Sequence, residues 1–276
     1  MKRVKQAWVN LIFLAVTLVI NTLGAMGLIN GLTQREISDM YVTLITPSPA
    51  TFTIWSVIYS LLLISMIAMI IKKEDPYYQR AVDQISNLFR ISCILNIAWI
   101  IAFSLVLVEV SVLFILGFVI TLALICMKLL EIREGKRWLL PASFGLYGGW
   151  LFIATVVNIA AALVKLNWTG FGLTQETWGS IMLVVAILLL IGVVLKIRNA
   201  VFPLPIAWAY FGINQILNSP TGFDGEFATL EIVSLIGMAV LLIISVILFV
   251  RNHFAVLPEE KTVSYTHLTL PTNREV

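Results

Sequence analysis

The chain has 276 residues, of which 60% are hydrophobic and only 12% are charged, and its formal net charge is +3. Soluble domains carry roughly 25% charged residues, because polar side chains must cover the surface of a globule in water. This composition excludes a soluble fold and indicates that lipid surrounds most of the chain. No basic run is interleaved with aromatic residues, so we expect no nucleic-acid partner.

Eight long apolar segments dominate the sequence. Their lengths are close to the ~20 residues that cross a bilayer as a helix, and they lack the polar–apolar alternation of a barrel strand. We therefore predict an all-α protein, a polytopic membrane helix bundle of about eight transmembrane helices. The predicted spans are residues 8–29, 52–71, 88–108, 111–130, 139–164, 178–195, 201–217 and 230–250.

Two of these segments have alternative interpretations. The first follows three basic residues, as a signal peptide does, but its apolar run exceeds the roughly 7–15 residues of a signal-peptide core. We expect it to remain as a span. The seventh is short and contains Pro203, Pro205, Asn214 and Gln215, which is also typical of a re-entrant or interfacial piece. The distribution of charge favours a span here as well.

Basic residues divide unevenly between the two sets of connections. If all eight segments cross, 16 of the 18 lysines and arginines lie on one side, and only Arg35 and Lys165 lie on the other. Because basic loops stay in the cytoplasm, this partition predicts a multi-pass protein of the cell membrane with both termini in the cytoplasm. A non-spanning seventh segment would move the tail to the other side and weaken the partition.

The C-terminal tail and the cysteines suggest little chemistry. We predict a cytoplasmic tail over residues 253–276, and its last part, 263–276, resembles a cloning-adapter sequence, so we exclude it from functional reasoning. Cys93 and Cys126 lie inside apolar segments, with no histidine or cysteine at ligand spacing. We therefore expect no disulfide, no metal and no cofactor.

Two predicted spans carry aromatic and polar residues on one face. Pro47 is one of two prolines that stiffen the end of the first outer loop, and the next helix begins with Trp55 and Tyr59, four residues apart. In the third span Asn96 and Trp99 are three residues apart and also share a face. Polar groups inside lipid are costly unless they are paired or functional.

The fifth predicted span carries a longer stripe. At about 100° per residue, spacings of three, four and four residues keep four side chains on one narrow face. They are Tyr147, Trp150, Ala154 and Asn158. Gly148 and Gly149 beside them permit close approach of another helix. Each stretch alone is also typical of ordinary membrane structure, since aromatics form interfacial belts and asparagines link helices.

Taken together, these motifs resemble the TspO/MBR family, the tryptophan-rich sensory proteins related to the translocator (peripheral benzodiazepine receptor) protein. That family has a loop ending in prolines, then W-x-x-x-Y, L-N-x-x-W and Y-x-x-W-x-x-x-A-x-x-x-N motifs on its second, third and fifth helices. The resemblance covers residues 8–164. It departs from the family pattern at Ser92, where the family has glutamine, and at Pro141, which lies farther upstream than the family proline.

The resemblance implies a division of the chain and a ligand site. Residues 1–164 would form the five-helix bundle, residues 165–252 three additional spans, and residues 253–276 the tail. A hydrophobic or amphipathic ligand, in particular a porphyrin, would bind beneath the first outer loop, with Arg35 near its carboxylates. The implied ligand-binding residues are Pro47, Trp55, Tyr59, Asn96, Trp99, Tyr147, Trp150, Ala154 and Asn158.

We therefore expect a sensory or receptor-like membrane protein whose partners are membrane lipids and a hydrophobic small molecule. The alternative is a small-molecule transporter, although no charged residue lies at the centre of any predicted span to couple ion movement. We do not expect an enzyme, because the spans contain no catalytic triad, metal motif or phosphate loop. Gly27 and Gly31, spaced as at helix-dimer faces, leave a homodimer open.

Overall fold

A computed structural model describes residues 2–133 and 137–258, and within these ranges the regular structure is helical, with no strand. The α-helices are α1 (Lys2–Ala25), α2 (Gln34–Met40), α3 (Ile54–Ile71), α4 (Pro76–Ser104), α5 (Val108–Glu131), α6 (Leu139–Lys165), α7 (Gln175–Ile197), α8 (Pro203–Asn218) and α9 (Ala228–Arg251). Short 3-10 helices occupy Pro49–Thr53 and Gly170–Gly172. The adapter-like residues 263–276 lie outside the described residues. The predicted helical membrane bundle is confirmed.

Seven helices of the described chain are long and apolar enough to cross a membrane, and they correspond to seven of the eight predicted spans. The remaining one, the seventh predicted span over residues 201–217, coincides with α8, which has only 16 residues. At 1.5 Å per residue α8 is about 24 Å long, shorter than the ~30 Å hydrocarbon core. The predicted helix is therefore present but is too short to count as a full span.

Although short, α8 returns the chain through the bundle. At one end of the bundle the Glu176 carboxylate of α7 accepts a hydrogen bond of 2.9 Å from the Thr229 N–H of α9. At the other end Asn252, just after α9, donates a 2.9 Å hydrogen bond to the carbonyl of Arg198, just after α7. The helices α7 and α9 therefore run in the same direction, and α8 must run in the opposite direction between them.

The chain after α9 folds back over the start of α8. The Ala200 N–H donates a 2.9 Å hydrogen bond to the Val256 carbonyl, and the Arg137 guanidinium, next to the start of α6, donates one of 2.7 Å to the Pro258 carbonyl. Leu257 is only 1% exposed. The helix α8 therefore begins inside the bundle, beneath this cover, which accounts for its short length.

The helices α1, α4 and α6 run in the same direction. Arg3 near the start of α1 pairs with Asp83 in the first third of α4, and Phe89 of α4 meets Phe144 of α6 edge-to-face at 5.9 Å. Because α9 ends beside the start of α6, the two described ends of the chain lie at the same end of the bundle.

The helix α4 begins twelve residues before Leu88, the predicted start of the third apolar span, so the helix extends beyond that span. Asp75 caps the helix by accepting a hydrogen bond from the Tyr77 N–H at 2.9 Å, and Pro76 follows at a position where proline suits a helix start. A search for long apolar runs does not find the first part of α4, because that part of the helix is polar. Arg90 consequently lies in the middle of the 29-residue helix rather than near its start. Its partners Asn10 and Gln6 lie near the start of α1, so Arg90 is close to one end of the bundle, and the expectation that span centres lack charge stays a prediction.

One buried hydrophobic cluster includes residues of every long helix from α1 to α9. The division of the chain at residue 164 stays a prediction. The connection between α1 and α3 also contains α2, which was not predicted. Its start is a capping box in which Thr33 and Glu36 bond each other reciprocally. Hydrogen bonds from the backbone and hydroxyl of Thr33 hold the pKa of Glu36 below its usual value.

Candidate functional site

Four aromatic side chains from two helices form one connected group around Trp55, and we call them the aromatic cluster: Trp55 and Tyr59 of α3 with Tyr147 and Trp150 of α6. Trp55 stacks on Tyr59 with ring centroids 5.1 Å apart. Trp55 also packs edge-to-face with Tyr147 and Trp150, with ring centroids 6.1 Å and 6.2 Å apart. These separations lie in the range that favours aromatic pairs. The aromatic face predicted for α3 therefore packs against the aromatic face predicted for α6.

Glycines on another side of α6 bring α8 close to this helix. A methyl group at Gly149 would lie 2.1 Å from the carbonyl oxygen of Phe202, and one at Gly148 would lie 2.7 Å from the Phe202 ring. A larger side chain at Gly149 would displace the backbone at the start of α8, and one at Gly148 would displace the Phe202 ring. The order of residues along α6 thus places aromatic rings against α3 and glycine backbone against the start of α8.

A chain of hydrogen bonds runs beneath the aromatic cluster. The amide of Asn96 on α4, which is completely buried, donates to the Tyr147 hydroxyl at 2.8 Å. Asn21 of α1 donates to the Asn96 amide oxygen at 2.8 Å and accepts from the Tyr59 hydroxyl at 3.0 Å. Four helices are joined in this way. Asn21 was not predicted as a site residue, although an asparagine within an apolar helix is a recognisable signal.

Trp150 combines deep burial with an unused hydrogen-bond donor. Its side chain is 2% exposed, and its indole nitrogen has no acceptor among the described residues. Phe52, from the loop before α3, covers it edge-to-face at 5.7 Å. Leaving a buried N–H unpaired costs on the order of 1–3 kcal/mol, so it marks a position where a ligand acceptor atom would be stabilised.

The remaining predicted residues form a second, separate group. The Trp99 indole N–H donates to the Asn158 amide oxygen at 3.0 Å, and the Asn158 amide donates to the Ser111 hydroxyl of α5 at 3.0 Å. The Trp99 ring lies beside that of Phe103, with ring centroids 6.5 Å apart. Ala154, between the two groups along α6, packs half-buried against the core. One part of the stripe on α6, Tyr147 and Trp150, therefore contacts α3, and another part, Asn158, contacts α4 and α5.

The loop before α3 is fastened to α8. Ser48 donates to the Gly212 carbonyl through its backbone at 3.0 Å and to the Gln215 side chain through its hydroxyl at 2.6 Å. The Trp208 indole donates to the Thr51 carbonyl at 2.9 Å. Pro47 in the same loop is buried. The anchoring positions Trp208 and Gly212 had not been singled out in the sequence.

Two polar residues considered for other roles already have partners. The Asn214 amide donates to the Glu231 carbonyl and the Ser234 hydroxyl of α9, both at 3.1 Å. Arg35 lies on α2, exposed, and pairs with Asp39 at 3.8 Å. Neither contributes to the aromatic cluster.

These features define a polytopic helical membrane protein in which aromatic side chains of two helices meet beneath a loop held by a third. The sequence profile of the TSPO-like protein family matches residues 7–247, and the chain belongs to this family. The match continues through α7, α8 and most of α9, well beyond the residues that carry the motifs. No curated protein and no solved structure gave a match to the chain.

Proposed function

We propose that this protein binds a hydrophobic or amphipathic small molecule at the aromatic cluster, and that a porphyrin-like tetrapyrrole is the ligand class. The observation that carries the proposal is the buried, unpaired indole N–H of Trp150 among aromatic rings. A flat macrocycle offers faces for aromatic contact and nitrogen or oxygen atoms that accept a hydrogen bond. Membership of the TSPO-like family agrees with this function.

Access to Trp150 depends on Phe52. The Phe52 ring is 43% exposed, whereas the Trp150 side chain behind it is 2% exposed. A ligand that displaces the Phe52 ring would reach the indole N–H and lie against Trp55. We propose that ligands approach from this side, through movement of the loop before α3.

We further propose that the protein acts as a receptor or sensor in the cell membrane, without a catalytic role, and that both termini are cytoplasmic. The strong bias of lysine and arginine toward one set of connections supports the orientation. The described ends of the chain lie at one end of the bundle, as this arrangement requires.

Tryptophan fluorescence of the purified protein in detergent tests the binding site. Protoporphyrin IX should quench the emission saturably, after correction with N-acetyl-tryptophanamide for absorbed light. Trp150→Phe keeps an aromatic ring but removes the N–H, so we expect binding weakened roughly three- to tenfold.

The matched control is Trp168→Phe, which alters a tryptophan of the α6–α7 connection outside the aromatic cluster and should leave the affinity unchanged. Trp99→Phe, in the second group, should also bind normally. Linear, unsaturable quenching of the unmodified protein, or equal affinity after Trp150→Phe, would refute a site at this cluster.

A transporter is the second candidate, favoured by Arg90 in the middle of α4. Its guanidinium donates to the Asn10 side chain at 3.0 Å and to the Gln6 carbonyl at 3.2 Å on α1. Half-buried ionisable groups that face other helices of a bundle commonly mark substrate pathways. Porphyrin uptake into reconstituted vesicles, compared with protein-free vesicles under a pH gradient, would distinguish transport from binding alone.

A further inference from the structure

A cleft lies at the end of the bundle where the described chain ends meet, and it shares no residue with the aromatic cluster. It has a volume of about 1130 Å³ and lies between the start of α1 and the connection from α3 to α4. Lysines line it from both sides: Lys2 and Lys5 from α1 and Lys73 from the connection. Glu74 also lines it.

One basic residue of the cleft, Arg3, already has an acidic partner within the protein. Arg3 contacts the Asp83 carboxylate through two nitrogens at 2.7 and 2.8 Å and donates to the Gln79 side chain at 2.8 Å. This contact joins α1 to α4 and neutralises Asp83. Among the described ion pairs none involves Lys2, Lys5 or Lys73. The cleft therefore retains a net positive charge.

An exposed apolar face of α1 leads away from the cleft. Its members recur every three or four residues and so lie along one side of the helix. They are Trp8 (51% exposed), Ile12 (58%), Val16 (49%) and Val19 (57%). Trp8 lines the cleft as well, and tryptophan commonly lies at the headgroup level of a bilayer. A positively charged cleft is thus followed along α1 by an apolar surface, just as the charged headgroup of a lipid is followed by its acyl chains.

We propose that this cleft binds the headgroup of an anionic phospholipid, whose acyl chains lie along the exposed face of α1. Lysine ammonium groups bind phosphate as point charges, and three of them surround the cleft. The apolar face explains why the ligand is a lipid rather than a free phosphate, which would leave that face unused. A lipid held here would bridge α1 and the α3–α4 connection and stabilise the bundle.

Thermal unfolding of the full chain in detergent, with short-chain phospholipids added, tests this proposal. Phosphatidylglycerol should raise the unfolding temperature more than phosphatidylcholine with the same chains. The triple variant Lys2→Gln, Lys5→Gln, Lys73→Gln should bind phosphatidylglycerol at least tenfold more weakly, on the order expected for lost lysine–lipid contacts. Glycerol phosphate without chains should not stabilise the protein.

The matched control removes three positive charges at the same end of the bundle but outside the cleft: Lys196→Gln, Arg198→Gln, Arg251→Gln. It should keep the preference for phosphatidylglycerol. Equal effects of the two lipids, equal loss in both triple variants, or equal stabilisation by glycerol phosphate would overturn the proposal.

A second measurement on otherwise unmodified protein locates the chains. Phosphatidylglycerol with brominated acyl chains should quench tryptophan emission, and Trp8→Phe should remove the part of the quenching that saturates at low lipid concentration. Retention of all the saturable quenching after Trp8→Phe would overturn the placement along α1.

Discussion

Asn96 shows how one residue organises several helices. It is completely buried, and its amide bonds Tyr147 of α6 and Asn21 of α1 at 2.8 Å each. Water is absent from the bilayer core, so a buried amide must find partners within the protein. Here those partners position the rings of Tyr147 and, through Asn21, Tyr59. The polar chain and the aromatic cluster are therefore one unit.

We expect Asn96→Ala to destabilise the protein by about 1–3 kcal/mol, because it removes the buried hydrogen bonds that Asn96 makes with the Tyr147 hydroxyl and the Asn21 amide. Tyr147→Phe should cost less, about 1 kcal/mol, since Asn96 still bonds Asn21. Reversible unfolding in bicelles measures both variants and their double mutant. Simple additivity would contradict a coupled network, and Asn218→Ala, an exposed asparagine, should change stability little.

At the scale of elements, α8 braces the loop that carries Phe52. The backbone of α8 approaches the loop so closely that a methyl group at Gly212 would lie 2.0 Å from the Thr51 hydroxyl. The contact also includes the hydrogen bonds from Ser48 and Trp208. The helix that is too short to be a full span thus supports the proposed ligand site.

Gly212→Ala should therefore lower stability by roughly 1–3 kcal/mol, although alanine is the better helix former, because the loop must move away. Gly192→Ala is the matched control: it lies within α7, and a methyl group there meets nothing within 4 Å. That variant should be neutral or slightly more stable. Thermal unfolding compares them, and equal behaviour would show that the loop is not braced by α8.

At the scale of the whole molecule, the proposed orientation rests on the distribution of charge and on the path of α8. If α8 returns the chain, the α7–α8 and α8–α9 connections lie on opposite sides of the membrane. Cys93 and Cys126 are buried and should react poorly with maleimides. Introduced cysteines therefore report the position of each connection with little background.

We expect Thr221→Cys, between α8 and α9, to react with a membrane-impermeant maleimide added to intact cells. Lys196→Cys, at the end of α7, should react only after the membrane is permeabilised. The reverse pattern would invert the proposed orientation, and labelling of both positions from outside would show that α8 does not cross.

The sequence by itself determined the class of fold and the helix faces. In lipid the backbone must satisfy its own hydrogen bonds, so a long apolar run predicts a helix. The spacing of residues along that helix then places Tyr147 and Trp150 on one side. The polar first part of α4, which starts at Pro76, escaped this reasoning because it depends on hydropathy.

Only the tertiary structure decided which faces meet. It brought Trp55 to Trp150, separated Trp99 and Asn158 into another group, and fastened Ser48 to Gln215, 167 residues later in the chain. Local spacing states which side chains share a face, but it carries no information about the distant helix that this face will contact. That choice depends on close packing and hydrogen-bond pairing across the bundle, which arise only once all helices are assembled.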